Sequence, residues 1–103
     1  MSVLHITEDN FEKEVLQTTK PVLLDFWATW CGPCQMMAPI LKDYAATHPD
    51  YVVGKVDVDE QSALAAAFQI QSIPTLVVIK EGKLTAQAVG VQTPEQLDAL
   101  MEK

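Results

Sequence analysis

Apolar and polar positions along this chain switch repeatedly between the period of a strand and that of a helix. The run VLHI is short and extended. Thr7 then stands where it can cap a helix over roughly residues 8–18, with Phe11, Val15 and Leu16 on the apolar side. PVLLDFWA is apolar almost without a break, the pattern of a strand covered on both faces. Helical spacing returns from about Cys31 to His48, with Met37, Ile40, Leu41 and Tyr44 inward and Pro39 predicting a kink. YVVGKVDV is the next strand and EQSALAAAF the next helix. TLVVIK and LTAQAVGV flank EGK, a glycine turn that predicts an antiparallel hairpin. In the last helix Thr93 is the N-cap, Pro94 takes the first helical position and Gln96 closes a capping box. Leu97, Leu100 and Met101 then face the core. The order βαβαβαββα predicts an α/β fold, a central mixed sheet of about five strands with four helices on both faces.

Composition narrows the setting. Residues 1–103 have the length of a single domain and contain no repeat, linker or low-complexity tract. Hydrophobic residues make up 49%, enough for a core without cross-links. Fourteen acidic against seven basic side chains give a net charge of −7, which argues against binding the phosphates of nucleic acid. No apolar run is long enough to span a membrane. The opening MSVLHITEDNF has neither the basic nor the apolar region of a secretory signal, so a reducing cytoplasm is expected.

Both cysteines lie in WATWCGPCQ, separated by Gly32 and Pro33. A staple, a metal site and a reactive pair are the three readings. A disulfide across so short a loop stabilises by only about 2 kcal/mol in the loop-entropy model, against ~4.7 for a 100-residue loop. Structural zinc needs about four ligands, and beyond the thiols there are only His5, His48 and carboxylates, without ligand spacing. The reactive reading gains from position. Cys31 falls where a buried strand gives way to a helix, so unpaired N–H groups and the positive end of the helix dipole point at its sulfur. A thiolate there is stabilised and its pKa falls. Cys34, almost a turn further on, can close a disulfide with Cys31 and is expected to lie deeper, protonated until needed. Gly32 lets a partner's backbone approach. Pro33 sits in the first turn, where it removes a donor near the sulfurs and makes the dithiol a better electron donor.

WCGPC resembles the active-site sequence of the thioredoxin family. DFWATWCGPC, MMAPIL, KVDVDE, IPTL, the EGK turn and VGV occur in that family's order over nearly the whole chain. The resemblance implies a thioredoxin fold and a protein-disulfide reductase in which Cys31 attacks a client disulfide and Cys34 resolves the mixed disulfide. It implies no bound cofactor and no metal, only a redox-active Cys31–Cys34 disulfide. NADPH and FAD would belong to a thioredoxin reductase that recharges it. Disulfide-containing proteins are the implied clients, and a monomer the expected state.

The supporting residues each have a plainer alternative. Asp25 interrupts an apolar strand, so burial is expected to raise its pKa, unless the strand exposes it. The resemblance makes it the group that helps deprotonate Cys34. Lys55 resembles the family lysine near that Asp, or is an ordinary edge lysine. Pro74 is either a plain strand-start proline or the family's cis-proline beside the disulfide, which would leave the Ile73 backbone free to pair with an extended peptide. Trp30, Gly32, Pro33, Ile73, Pro74, Gly90 and Val91 map onto the family's apolar contact surface. Trp27 reads as packing, and Met36 and Met37 as core or rim. Gln35 departs from the basic residue common after the second cysteine. Two competing functions remain open on these residues: an oxidase or isomerase, and a binding module whose thiols are incidental.

Overall fold

A computed structural model describes residues 2–103. The strands are β1 (Leu4–His5), β2 (Val22–Trp27), β3 (Val52–Asp57), β4 (Thr75–Lys80) and β5 (Lys83–Val89). They form one mixed sheet in the order β1-β3-β2-β4-β5. The β1–β3 and β2–β3 pairs are parallel, and β2–β4 and β4–β5 antiparallel. The helices are α1 (Gly32–Thr47), α2 (Ser62–Ala67) and α3 (Pro94–Met101), joined by a π-helical segment at Glu12–Leu16. The expected α/β layering around a mixed five-stranded sheet is thus present.

Alternation along the central strands sorts the core into two layers. Leu23, Val53, Leu76 and Val78 point to one face, where Met37, Leu41 and Tyr44 of α1 and Leu97 and Leu100 of α3 cover them. Leu24, Phe26, Val56 and Val77 point to the other, against Val15 and Leu64. Because both faces are covered, β2 is buried along Val22–Phe26, as its nearly unbroken apolar run predicts. Gly54 on β3 is a packing requirement: a Cβ there would come within 2.6 Å of Ile6 Cγ1.

Local signals set the turns. Glu81 and Gly82 both have positive φ (51° and 78°), the backbone of a tight two-residue hairpin between Lys80 and Lys83. Thr93 Oγ1 accepts from Gln96 N at 3.1 Å, and Gln96 Oε1 accepts from Thr93 N at 2.9 Å, completing the capping box. Helix α1 runs through Pro39 without interruption.

The helix expected over residues 8–18 needs correction. Thr7 Oγ1 accepts from Asn10 N at 3.3 Å and closes a turn ahead of the segment, whose own N-cap position is Phe11 and carries no side-chain cap. The chain then forms only a five-residue π-helical segment, with Gln17 N donating to Glu12 O at 2.9 Å. Phe11 and Val15 face inward, but Leu16 is exposed. So short a segment covers the sheet with one side only, and Leu16 begins the largely solvent-facing run that leads to Pro21. Helix α2 is also shorter than EQSALAAAF, spanning only Ser62–Ala67.

Candidate active site

Strand β2 ends at Trp27, and the chain reaches α1 through a short bend that sets Cys31 at the N-cap with an extended backbone (φ −92°, ψ 113°). This is the position that strand-to-helix patterning predicts. Cys31 and Cys34 are joined by a disulfide, with their Cα atoms 5.3 Å apart. Cys34 N donates to Cys31 Sγ at 3.2 Å, so a free N–H of the first helical turn points at that sulfur. In this oxidised form the acceptor is neutral; a thiolate at the same place would accept a charge-assisted bond roughly twice as strong.

Burial does not separate the two sulfurs as expected. Cys31 is 5% exposed and Cys34 3%, so depth alone does not make one the nucleophile. Their surroundings differ instead. Cys31 lies beside the loop before β4, with its Sγ 3.8 Å from the carbonyl oxygen of Ile73. Cys34 opens onto a cleft that it shares with Asp25 and Lys55. Ala28, Trp27, Val58 and Ile73 close around the pair.

Asp25 occupies the middle of β2 and is 2% exposed, which removes the exposed alternative. Its Oδ1 has no hydrogen-bond partner among the described residues. Burial pushes its pKa up to about 7, against the opposing pull of the Lys55 charge. Lys55 is its register partner on β3, and the Lys55 Nζ sits 4.5 Å from the centre of the Trp27 ring. Lys55 is therefore not an edge lysine. Trp27 is partly buried, as packing predicts, and its indole N–H is buried without a partner among the described residues.

The Ile73–Pro74 peptide bond is cis. Gly90 N donates to Pro74 O at 2.7 Å, which brings the end of β5 against the start of β4. Cβ atoms at Gly32 or Gly90 would meet nothing within 4 Å, so both backbones lie open. Trp30 is 69% exposed. Val91 is only half free, because it packs against the α1–α3 layer of the core. The residues expected on one contact surface thus come from three loops around Cys31, with Val91 as its partly buried edge.

One neighbour escaped sequence reasoning. Trp30 Nε1 donates to Asp59 Oδ2 at 2.8 Å, and Asp57 Oδ1 accepts from Asp59 N and Glu60 N at 2.9 and 3.3 Å. The signal was present in the acidic run VDVDE. β2 and β3 are parallel neighbours with Trp27 opposite Asp57, so the loops beyond them meet at the same end of the sheet. Met37 is fully buried and Met36 exposed, a core and a rim position respectively. Among the described residues no cluster of three or more His, Cys, Asp or Glu side chains could hold a metal ion.

A family model described as Thioredoxin matches residues 2–103. A thioredoxin of Alicyclobacillus acidocaldarius is 48% identical over 99 residues, covering 95% of this chain and 93% of that protein. One from Acidithiobacillus ferridurans is 44% identical over 102 residues, covering 98% and 94%. The crystal structure of a Malassezia sympodialis thioredoxin superposes with a TM-score of 0.87 at 38% identity, covering 98% of this chain and 89% of that one. The chain belongs to the thioredoxin family and is a thiol–disulfide oxidoreductase, a protein-disulfide reductase working by dithiol–disulfide exchange.

Proposed function

We propose that Cys31 is the attacking sulfur and Cys34 the resolving one, with Asp25 as the proton acceptor for Cys34. The observation that carries this is the N–H of Cys34 aimed at Cys31 Sγ from the mouth of α1. In the dithiol form that contact favours the thiolate of Cys31 over that of Cys34. The Cys31 thiolate attacks one sulfur of a client disulfide, forming a mixed disulfide and expelling the first client thiolate. Cys34 gives its proton to the Asp25 carboxylate, attacks Cys31 Sγ and expels the second client thiolate. Two electrons pass to the client, and the pair is left as the Cys31–Cys34 disulfide.

Asp25 suits the proton step because a group with a pKa near the working pH can both take and return a proton. Lys55 tunes it by opposing the effect of burial. Trp30, Gly32, Pro33, Ile73, Pro74, Gly90 and Val91 form the client-facing surface, with the Ile73 backbone pairing with an extended client segment. The clients on this reading are proteins carrying accessible disulfides, and the recharging partner is an NADPH-dependent flavoprotein reductase. The protein works as a single domain and a monomer in a reducing cytoplasm, and the disulfide is its only redox group. The negative charge of the chain supports the exclusion of nucleic acid.

Insulin-disulfide reduction by the dithiol-treated protein tests the reading. Turnover by the native chain and its loss in Cys31→Ser are expected. Activity retained in Cys31→Ser overturns the assignment of the nucleophile.

A further inference from the structure

Beside α1, the cleft that Cys34 opens onto has a volume of about 490 Å³. That lies within the range of pockets that enclose small organic ligands, roughly 300–1,000 Å³. Its walls are mainly apolar, with Trp27, Ala38 and Pro39 among them. Two polar features stand out against those walls. Asp25 lines the cleft at 2% exposure, with a carboxylate oxygen that no described residue satisfies. Lys42 and Lys55 also line it, and neither ammonium makes an ion pair with a described residue.

The charge of this cleft is opposite to that of the molecule. The whole chain carries −7 and only seven basic side chains, yet two of the seven converge here. The one carboxyl among the lining residues is largely protonated below neutrality, because burial disfavours its charged form. Such a cleft offers an ammonium pair to an anion, a carboxyl donor to an acceptor, and an apolar wall to a hydrocarbon body. We propose that it is a binding site for a small amphipathic carboxylate, one with a compact aryl or short alkyl body. The anionic head lies between Lys42 and Lys55, within reach of the Asp25 carboxyl, and the body rests on Pro39, Ala38 and the Trp27 ring. A cationic head is excluded by the two lysines. A neutral amide keeps the apolar contact and loses the charge.

Occupancy has a consequence for exchange, which rests on the role given to Asp25 above. A negative head beside Asp25 holds that carboxyl protonated and fills its route to Cys34. Resolution by Cys34 slows, while the first attack by Cys31, which does not line the cleft, is unaffected. Binding itself does not depend on that role.

The test uses 3-phenylpropionate as the probe and 3-phenylpropionamide as its neutral counterpart, titrated into the full chain and followed by amide chemical shifts. Saturable shifts confined to Asp25, Trp27, Ala38–Lys42 and Lys55 are expected, with the amide about two- to fivefold weaker, the worth of a partly shielded ion pair. Lys42→Met is expected to weaken the carboxylate to the level of the amide. Ala46→Trp, which reaches into the cleft from exposed helix surface, is expected to abolish binding. Native-like circular dichroism and unchanged amide shifts away from the cleft show that both variants fold. Shifts that do not saturate, that scatter over the surface, or that match between carboxylate and amide overturn the site. If shifts saturate as expected and exchange by the probe-bound protein is unchanged, the site stands and the role of Asp25 falls. Loss of insulin reduction in Cys31→Ser is independent of either result.

Discussion

The two cysteines of the redox pair are buried almost equally, at 5% and 3%, yet they face different chemistry. Cys31 meets the N-terminus of α1, the Ile73 carbonyl and a rim of open backbone at Gly32 and Gly90. Cys34 meets a cleft that holds a buried carboxyl and two lysines. On the function proposed above, one side meets the client and the other handles a proton. A division of labour between identical side chains can thus come from the groups around them, without a difference in accessibility.

The sharpest way to break this comparison is to remove the cleft-side sulfur. Cys34→Ser is expected to lower insulin-reduction turnover by ~10³-fold or more, since attack and resolution act as one unit. It is also expected to accumulate a mixed disulfide through Cys31, visible on a non-reducing gel. A variant that turns over normally would show that the sulfurs are interchangeable.

Asp25→Ala acts on the same side with opposite effects on stability and rate. The folded carboxyl keeps its proton up to a pH of about 7, whereas the unfolded one releases it near 3.8. Between those values the native state binds more protons, so its stability falls as pH rises, and the full penalty is present above 7. Removing the group is expected to gain roughly 4 kcal/mol at pH 8 before any loss to the cavity, and almost nothing at pH 3 to 4, at about 1.4 kcal/mol per unit. Urea unfolding at the two pH values measures this. Resolution is expected to slow by roughly 10²-fold, the usual contribution of a general base. A variant no more stable at pH 8 than at pH 4, relative to the native chain, would remove Asp25 from the proton step.

Trp30→Ala probes the other side. Trp30 is exposed and its indole N–H is tethered to Asp59 alone, so folding stability is expected to change by less than about 0.5 kcal/mol. The KM for a protein disulfide is expected to rise about three- to tenfold, as for a rim aromatic at an interface, with kcat unchanged. A fall in kcat at constant KM would place Trp30 with the chemistry instead.

Gln35→Lys is the smallest change and bears on the cleft alone. Gln35 lines the cleft, so an added ammonium there favours ionised Asp25 and lowers the pH midpoint of resolution. Client KM is expected to stay fixed. A midpoint that does not move would mean that the added charge does not reach Asp25.

Much of this was legible in the chain. VLLDF announced a strand covered on both faces, because no other setting tolerates so unbroken an apolar run, and the same logic marked Asp25 as buried. Thr93, Pro94 and Gln96 announced the start of α3, because a capping box is satisfied within four residues. Leu16 misled, because helical periodicity says which residues share a side but not how long a segment the sheet has room to cover. The Trp30–Asp59 contact was missed because it joins loops 29 residues apart in sequence, and the acidic run that holds Asp59 does not by itself name its partner.

The sequence by itself determined the order of strands and helices and the placement of Cys31 at a helix mouth. These arise from interactions among near neighbours in the chain, where spacing and residue type suffice. Only the tertiary structure decided that Cys34 and Asp25 share a cleft, that Lys55 stands opposite Asp25, and that the two sulfurs are equally covered. Those facts depend on sheet register and on the space left between α1 and the strands, which come from packing between segments far apart in sequence.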